Sequence, residues 1–393
     1  MRFTKLKTFM GMVSNNSAFC GPRSAQIEVS ELCDVGCMLC YNFSPLLPSR
    51  NNQANGQAFL SFETFKKLAW ELHMLGTKKI QIVGKGEPLL NPEIGKMIKF
   101  VVSLGMECIL VTSGIHLTEG MIDELAMPNV RFWISLHAGT PDVWCKVHPR
   151  HSAEDFYRLK RRISILSKSK KAKITLHSVI NNINYSETTN MVRFAVDTGV
   201  KNINIRPIWL NSELSSLRLN SEQHSHLQKD LLEAEKLAAK YFINNSIPEL
   251  LKSHYFNCGN QEDKDLAGGK TTISTPCYIG WLFTRIDSSG LVFPCCGSGL
   301  VMGDNCLSKF SKIWFSDMYR EFRRISKNIH KTGTVIEKTD CDKCGHYVLN
   351  VRADYILRLK FIRARINSFK NAFKSSPRSA VRGIFKNIFE MWE

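Results

Sequence analysis

The sequence predicts an α/β fold: a partial (β/α)6 barrel, then a small α+β domain, then a basic helical tail. Three observations carry this expectation. Between Ile27 and Pro207, short β-branched apolar runs alternate with segments of helical period, the pattern of repeated βα units around a parallel sheet. After Arg206 the alternation stops, and a polar helical pattern leads into a cysteine-rich segment. From Val351 to Glu393, apolar residues recur at helical spacing among ten Lys or Arg and three Asp or Glu.

Six strands are expected: Ile27 to Ser30, Ile80 to Val83, Cys108 to Thr112, Phe132 to Leu136, Ile174 to Val179 and Ile203 to Arg206. Each is a short run rich in side chains that suit a half-buried pleated surface. Helical patterns fill the gaps, among them Phe62 to Leu75 and Phe156 to Leu166, the latter introduced by Ser152 and Asp155 at capping-box spacing. The two further units that full eight-strand closure needs are not legible. Ser221 to Tyr241 predicts a polar helix, Asn257 to Thr275 a polar connection, and Ile286 to Val292 a hairpin turning at Asp287-Ser288-Ser289-Gly290. The expected division is an N-terminal extension 1–20, a barrel domain 21–212, a helical linker 213–270, a cysteine-rich domain 271–350 and a basic tail 351–393.

Composition narrows the class. With 393 residues, 44% of them apolar, the chain can bury sizeable cores, which excludes general disorder. The stretch from Met1 to Cys20 lacks the continuous apolar run of a signal peptide, so a cytoplasmic protein is expected. The net charge of +18 fits anionic partners, but no aromatic stacking motif accompanies it, so no nucleic acid is expected. An odd total of 13 cysteines argues against a fully paired disulfide framework and for metal ligation.

Cys33, Cys37 and Cys40 place three thiols within eight residues, directly after the first expected strand. Soft thiolates suit zinc or iron-sulfur clusters. A closed zinc site wants a fourth ligand nearby, and no Cys or His lies between Tyr41 and His73. Three thiolates on a four-iron cluster would instead leave one iron open.

Cys33-Asp34-Val35-Gly36-Cys37-Met38-Leu39-Cys40 resembles the C-x3-C-x2-C loop of radical S-adenosylmethionine (SAM) enzymes, including its place after the first barrel strand. The resemblance implies a 4Fe-4S cluster whose open iron binds SAM, cleavage of SAM to a 5'-deoxyadenosyl radical, and a reductant such as a flavodoxin or ferredoxin. Gly84-Lys85-Gly86-Glu87-Pro88 resembles the family's Gly-Gly-Glu-Pro segment, with Lys85 in place of the first of its glycines. Through it, Gly86 and Glu87 are implied to hold the SAM amino group. Thr112-Ser113-Gly114 resembles the family's Thr-Asn-Gly turn, and Ser135 stands where a ribose-binding serine is common. His148 or Arg150, and Asn181, are further candidates for the SAM ribose or carboxylate. The Thr112 turn and Ser135 occupy carboxyl ends of expected strands, where parallel sheets place their ligands, while His148 or Arg150 follow the fourth strand and Asn181 the fifth.

The second cysteine set is Cys277, Cys295, Cys341 and Cys344, in which Gly290 precedes Cys295 by the spacing G-x4-C. Coordination chemistry alone leaves a cluster and a zinc ion both open. The segment resembles the auxiliary-cluster domains called SPASM and twitch, and the lack of cysteines after Cys344 resembles the shorter twitch form with one auxiliary 4Fe-4S cluster. Cys296 and Cys258 are the alternatives for a ligand position. Cys20, Cys108 and Cys145 are expected as small buried apolar residues, and His346 as a surface loop residue.

An auxiliary cluster can accept the second electron of an oxidation. The resemblance implies radical oxidation of a small substrate, a sugar or polyol hydroxyl, free or lipid-linked. The alternatives are maturation of a ribosomally made peptide and, from another class, a zinc-stabilised binding protein without catalysis. No catalytic residue or general base is identifiable: His137, Lys146, Arg206 and Asp287 are available polar groups, with Arg206 the best substrate contact. In the tail, Tyr355, Leu359, Ile362, Ile366, Phe369 and Phe373 form one apolar stripe flanked by basic residues, suited to packing on the barrel or to peripheral contact with the inner face of a membrane.

Overall fold

A computed structural model describes residues 2–48, 58–169, 171–208, 210, 212–252, 272–341 and 344–358. Its elements run α1 (Arg2–Val13), β1 (Ser24–Glu28), α2 (Phe62–Met74), β2 (Lys79–Val83), α3 (Ile94–Ser103), β3 (Glu107–Thr112), α4 (Glu119–Leu125), β4 (Val130–Ser135), α5 (Pro141–Val147), α6 (Ala153–Lys168), β5 (Lys173–Ile180), α7 (Thr188–Thr198) and β6 (Asn202–Pro207). They continue with α8 (Ser221–Lys240), β7 (Asn244–Asn245), α9 (Ile247–Lys252), α10 (Ile279–Leu282), β8 (Phe283–Ile286), β9 (Leu291–Phe293), β10 (Gly303–Asp304), α11 (Phe310–Trp314), α12 (Asp317–Thr332) and α13 (Tyr347–Arg358). The chain divides into two units, one of Ser24–Gly269 with Arg285–Leu291, the other of Met1–Arg23, Lys270–Thr284 and Val292–Glu393.

In the barrel unit, β1 to β6 pair in sequence order, every pair parallel. All six expected strands form, and β1 starts three residues earlier than its apolar run suggests. Alternation places Ile80, Ile82, Phe132, Ile134, Ile203 and Ile205 in the core, while Gln81, Trp133, Ser135, His177 and Asn204 are half-buried. Ser135, His177 and Asn204 lie side by side across β4, β5 and β6. A seventh strand, β7, pairs parallel to β6 through Asn202 opposite Asn244 and Ile203 opposite Asn245. The sequence hides it because two asparagines carry no strand signal.

Helix starts follow their caps. The hydroxyl of Ser152 accepts from the Asp155 amide and the Asp155 carboxylate accepts from the Ser152 amide, so the expected capping box forms and α6 begins there. The loop after β4 is pinned to α7 by buried Glu187, whose Oε2 accepts from the Gly139 amide, the Thr140 amide and the Thr140 hydroxyl, each at 2.9 Å. Gly139 must be glycine here: a Cβ would stand 2.2 Å from the Asn190 carbonyl carbon.

In the other unit, Met12, Tyr278, Trp281, Leu282 and Ala353 pack together, and the indole of Trp281 donates to the Ser17 carbonyl at 2.7 Å. The first residues of the chain thus group with the second cysteine-rich segment. Arg323 is fully buried on α12, donating to the carbonyls of Gly280 and Trp314 at 2.8 Å each, with its guanidinium against the Trp314 and Tyr319 rings. Burial pulls it down to about 10. The hairpin of β8 and β9 turns where expected, with Gly290 at φ 93° and the Asp287 carboxylate accepting from the amides of Ser289 and Leu291.

Cys258, the connection around it and the apolar stripe from Leu359 onward lie outside the described residues. No helix among the described residues is long and apolar enough to cross a membrane. The contrast between two loop positions is measurable by thermal melts: Ser152→Ala should cost about 1 kcal/mol for the lost cap, whereas Gly139→Ala should cost more than about 3 kcal/mol because backbone must move.

Candidate functional site

The three-cysteine loop follows β1 and is held by the turn after β3, by the end of α5 and by its own residues. The Met38 amide donates to the Val147 carbonyl at 2.9 Å, His116 pairs with Asp34 at 2.9 Å, and the Ser44 hydroxyl donates to the Met38 carbonyl at 2.5 Å. Gly36 has φ 62°, and a Cβ there would lie 2.7 Å from the Arg150 side chain that covers it. Arg150 therefore braces the cysteine loop.

Amide hydrogens are aimed at the sulfurs. Those of Asn42 and Phe43 reach Cys40 Sγ at 3.4 Å each, and those of Val35 and Gly36 serve Cys33. Such donors favour thiolate. Burial acts the other way, with the Glu87 carboxylate and the neighbouring thiols adding to it, and pushes Cys33 up to about 11 and Cys37 higher still. A bound cation reverses that balance, since a coordinating thiol is deprotonated outright. Among the described residues, no group of three or more His, Cys, Asp or Glu side chains is arranged to hold a single metal ion. The donor chemistry of the loop, sulfur ligands with amides directed at them, fits an iron-sulfur cluster.

The segment Gly84 to Pro88 runs beside the root of this loop. The Gly86 amide donates to the Ser30 carbonyl at 3.0 Å and the Glu87 amide to the Leu32 carbonyl at 2.8 Å. A Cβ on Gly86 would fall 1.8 Å from the Leu32 carbonyl oxygen, so no other residue fits there. Lys85, the departure from the family pattern, turns outward to Glu31 at 3.0 Å. Glu87 is 3% exposed and accepts four hydrogen bonds: Leu89 amide 3.0 Å and Thr112 hydroxyl 2.5 Å on Oε1, Ser113 amide 2.8 Å and Ser113 hydroxyl 2.7 Å on Oε2. That fills the roughly four lone-pair sites of a carboxylate. Glu87, Thr112 and Ser113 thus form one unit in which the hydroxyl hydrogens are spent on the acid.

The other sequence-derived candidates divide. Ser135 is half-buried at the end of β4, opposite His177. His148 is 1% exposed, bonded through Nδ1 to the Trp144 carbonyl at 3.0 Å, and burial pushes it down to about 3. A neutral ring donating through Nδ1 leaves Nε2 as an acceptor, suited to a hydroxyl and not to a carboxylate. Asn181 is fully buried and spends Oδ1 on the Ile183 amide at 2.8 Å, closing its own turn. Arg206 is exposed and bonded to Asn204 at 3.1 Å.

Two histidines that sequence reasoning left without a role join this end of the barrel. His137 has φ 62°, a conformation that non-glycine residues adopt chiefly under constraint, and its Nδ1 accepts from the Val179 amide at 3.2 Å. His177 carries a buried Nε2 with no partner. Burial pushes each down to about 4. Between pH 4 and about 6.5 the unfolded chain binds protons that these folded histidines refuse, so their contribution to stability is present above that window and lost as pH falls. Melting temperature should fall from pH 7 to 5, and less steeply in His148→Gln than in the parent.

The second cysteine set assembles within its own unit. Cys277 lies beside Asn350, whose amide reaches its sulfur at 3.6 Å, and Cys341 beside the Thr339 hydroxyl at 3.0 Å. Amides of Ile279 and His346 serve Cys277 and Cys344, repeating the pattern at the first loop. Burial first, then the neighbouring thiols, raise Cys277 to about 12 and Cys344 to about 11, and Cys295 higher. Cys296, exposed, is the neighbouring thiol that Cys344 senses most. His346 corrects the surface expectation: its ring packs on Phe283 at 4.6 Å and burial pushes it down to about 4. Cys20 and Cys108 are buried as expected, whereas Cys145 is only half-buried because it faces outward on the short α5.

Comparison with known proteins bears on both cysteine sets. The family model of the radical SAM superfamily matches residues 27–195, and that of the iron-sulfur cluster-binding domain SPASM matches residues 277–345. The AdoMet-dependent heme synthase of Methanosarcina barkeri is 22% identical over 348 residues, covering 85% of this chain and 94% of that protein. The PqqA peptide cyclase of Bradyrhizobium diazoefficiens is 20% identical over 334 residues, covering 82% of this chain and 78% of that protein, and PqqA peptide cyclases recur among the relatives. Streptococcus suis SuiB bound to precursor peptide SuiA has the same fold at a TM-score of 0.56 and 16% identity, covering 81% of this chain and 70% of that one. A 4Fe-4S cluster and SAM come with the first domain, and further iron-sulfur ligation with the second. The chain belongs to the radical SAM superfamily and carries a C-terminal auxiliary-cluster domain of the SPASM type.

Proposed function

We propose that this chain matures a ribosomally made peptide, oxidising or cross-linking it by radical chemistry. The observation that carries this reading is likeness to a peptide cyclase along 82% of the chain. The peptide-bound SuiB supports it at the level of the fold. Oxidation of a sugar or polyol, expected from the sequence, rested on a count of auxiliary cysteines, which is weaker ground than similarity extending through both domains.

In this reading Cys33, Cys37 and Cys40 would hold the first cluster, and Cys277, Cys295, Cys341 and Cys344 the auxiliary one. When bound, the first cluster and SAM supply one-electron cleavage of SAM and abstraction of a substrate hydrogen. The chain's own residues orient and shield. Gly86 lets its loop close on the root of the cysteine loop, Glu87 fixes the turn at Thr112 and Ser113, and His148 Nε2 and Ser135 are available to ribose hydroxyls. Arg150 braces the cysteine loop. A reductant protein would deliver the electron, and no general base is assigned.

The test is anaerobic incubation of reconstituted protein with SAM, reductant and short peptides encoded beside the gene, read by mass spectrometry. Hydrogen loss from a peptide is expected. If 5'-deoxyadenosine forms while every such peptide is unchanged and a polyol or a porphyrin precursor is converted, the peptide reading fails. Cys33→Ala should abolish SAM cleavage, whereas Cys277→Ala should retain cleavage and lose peptide product. Glu87→Gln sets an amide hydrogen against the donors of Ser113 and should weaken SAM binding about tenfold by calorimetry, equivalent to about 1.4 kcal/mol.

A further inference from the structure

The auxiliary site gathers five thiols, one more than the four protein ligands of a 4Fe-4S cluster. Cys296 enters the set through main-chain pairing. Ser298 bridges Thr339 in antiparallel sense, the Gly299 amide donates to the Lys338 carbonyl at 2.8 Å, and the Asp340 amide donates to the Gly297 carbonyl at 2.9 Å. The pairing stops at Gly297 and Asp340, one residue short of Cys296 and Cys341, which the same register would set opposite each other. Opposed residues of an antiparallel pair stand about 5 Å apart at Cβ. Gly345 closes the other side, since Cys296 Sγ lies 3.7 Å from where a Cβ on Gly345 would be. Cys296 therefore lies next to the residue that follows Cys344 and one residue beyond the pairing with 338–340, while its neighbour Cys295 is the more buried of the two.

We propose that Cys296 is a reserve ligand of the auxiliary site: either Cys295 or Cys296 completes a set whose constant members are Cys277, Cys341 and Cys344. The inference rests on the reading that these cysteines hold the auxiliary cluster. Exchange needs no oxidant or reductant. Cys296 would lose its proton to solvent on taking the ligand position, and Cys295 would take up a proton on leaving it. Holding a spare sulfur on the exposed side would let the site keep its iron when a ligand is oxidised or displaced.

The test uses the full chain with Cys33, Cys37 and Cys40 all replaced by Ala, so that remaining iron reports the auxiliary site alone. Into it go Cys295→Ala, Cys296→Ala, the pair together, and Cys277→Ala, each reconstituted anaerobically and assayed for iron, sulfide and the electron paramagnetic resonance of the reduced cluster. Each single change at 295 or 296 should keep iron within about twofold of the parent, and the double change should lose about tenfold. Cys295→Ala should also shift the resonance, because the ligand has moved. The proposal is overturned if Cys295→Ala alone, or Cys296→Ala alone, empties the site as fully as the double change. Iron kept in Cys277→Ala would instead remove the ligand set itself, and the proposal with it. Circular dichroism melts and the Cys295→Ser variant separate ligand loss from misfolding.

Discussion

Glu87 locks together three segments that leave adjacent strands: its own loop after β2, the turn after β3 and, through its backbone, the stretch after β1 that leads into the three-cysteine loop. Four donors converge on one buried carboxylate, and a buried acid is tolerated only when its lone pairs are filled in this way. Because Gly86 beside it admits no side chain, the distance between this loop and the root of the cysteine loop is fixed by backbone contact. The position of the thiols relative to the strand ends follows from these two residues. His148 and Arg150 then act on a frame already set.

Most of the barrel was legible because its physics is periodic. Alternating burial along β2, β4 and β6, and the Ser152 capping box, are local properties that a sequence states directly. What escaped was set by tertiary partners. β7 exists because α8 delivers two asparagines to the edge of β6, and no propensity marks them. Glu87, Thr112 and Ser113 were recognisable as a group by their motifs, yet the motif does not say that their side chains satisfy one another. His137 was named only as an available polar group and His177 not at all, since a histidine at or near a strand end is ordinary until its backbone angle or its unpaired nitrogen is seen.

The two cysteine sites share a local solution. In each, an amide two residues beyond a cysteine points back at its sulfur, as with Val35 at Cys33, Ile279 at Cys277 and His346 at Cys344. Turns of this kind supply partial positive charge without a charged side chain, which suits sulfur that carries negative charge only when iron is bound. The sites differ in how they are braced. The first loop is tied by the His116 side chain and a main-chain bond to the end of α5, the second by main-chain pairing of 297–299 with 338–340.

The segment Arg285–Leu291 lies in the chain between Cys277 and Cys295 but belongs with the barrel unit, where Arg285 pairs with buried Glu28 at 3.1 Å and Ser288 bonds to Glu31. The polypeptide therefore passes from one unit to the other and back within the cysteine-rich region itself. No single cut yields two self-sufficient pieces. A fragment ending before residue 270 would keep Glu28 in its buried place and lose the Arg285 guanidinium that pairs with it, so a barrel made without this segment should be the less stable.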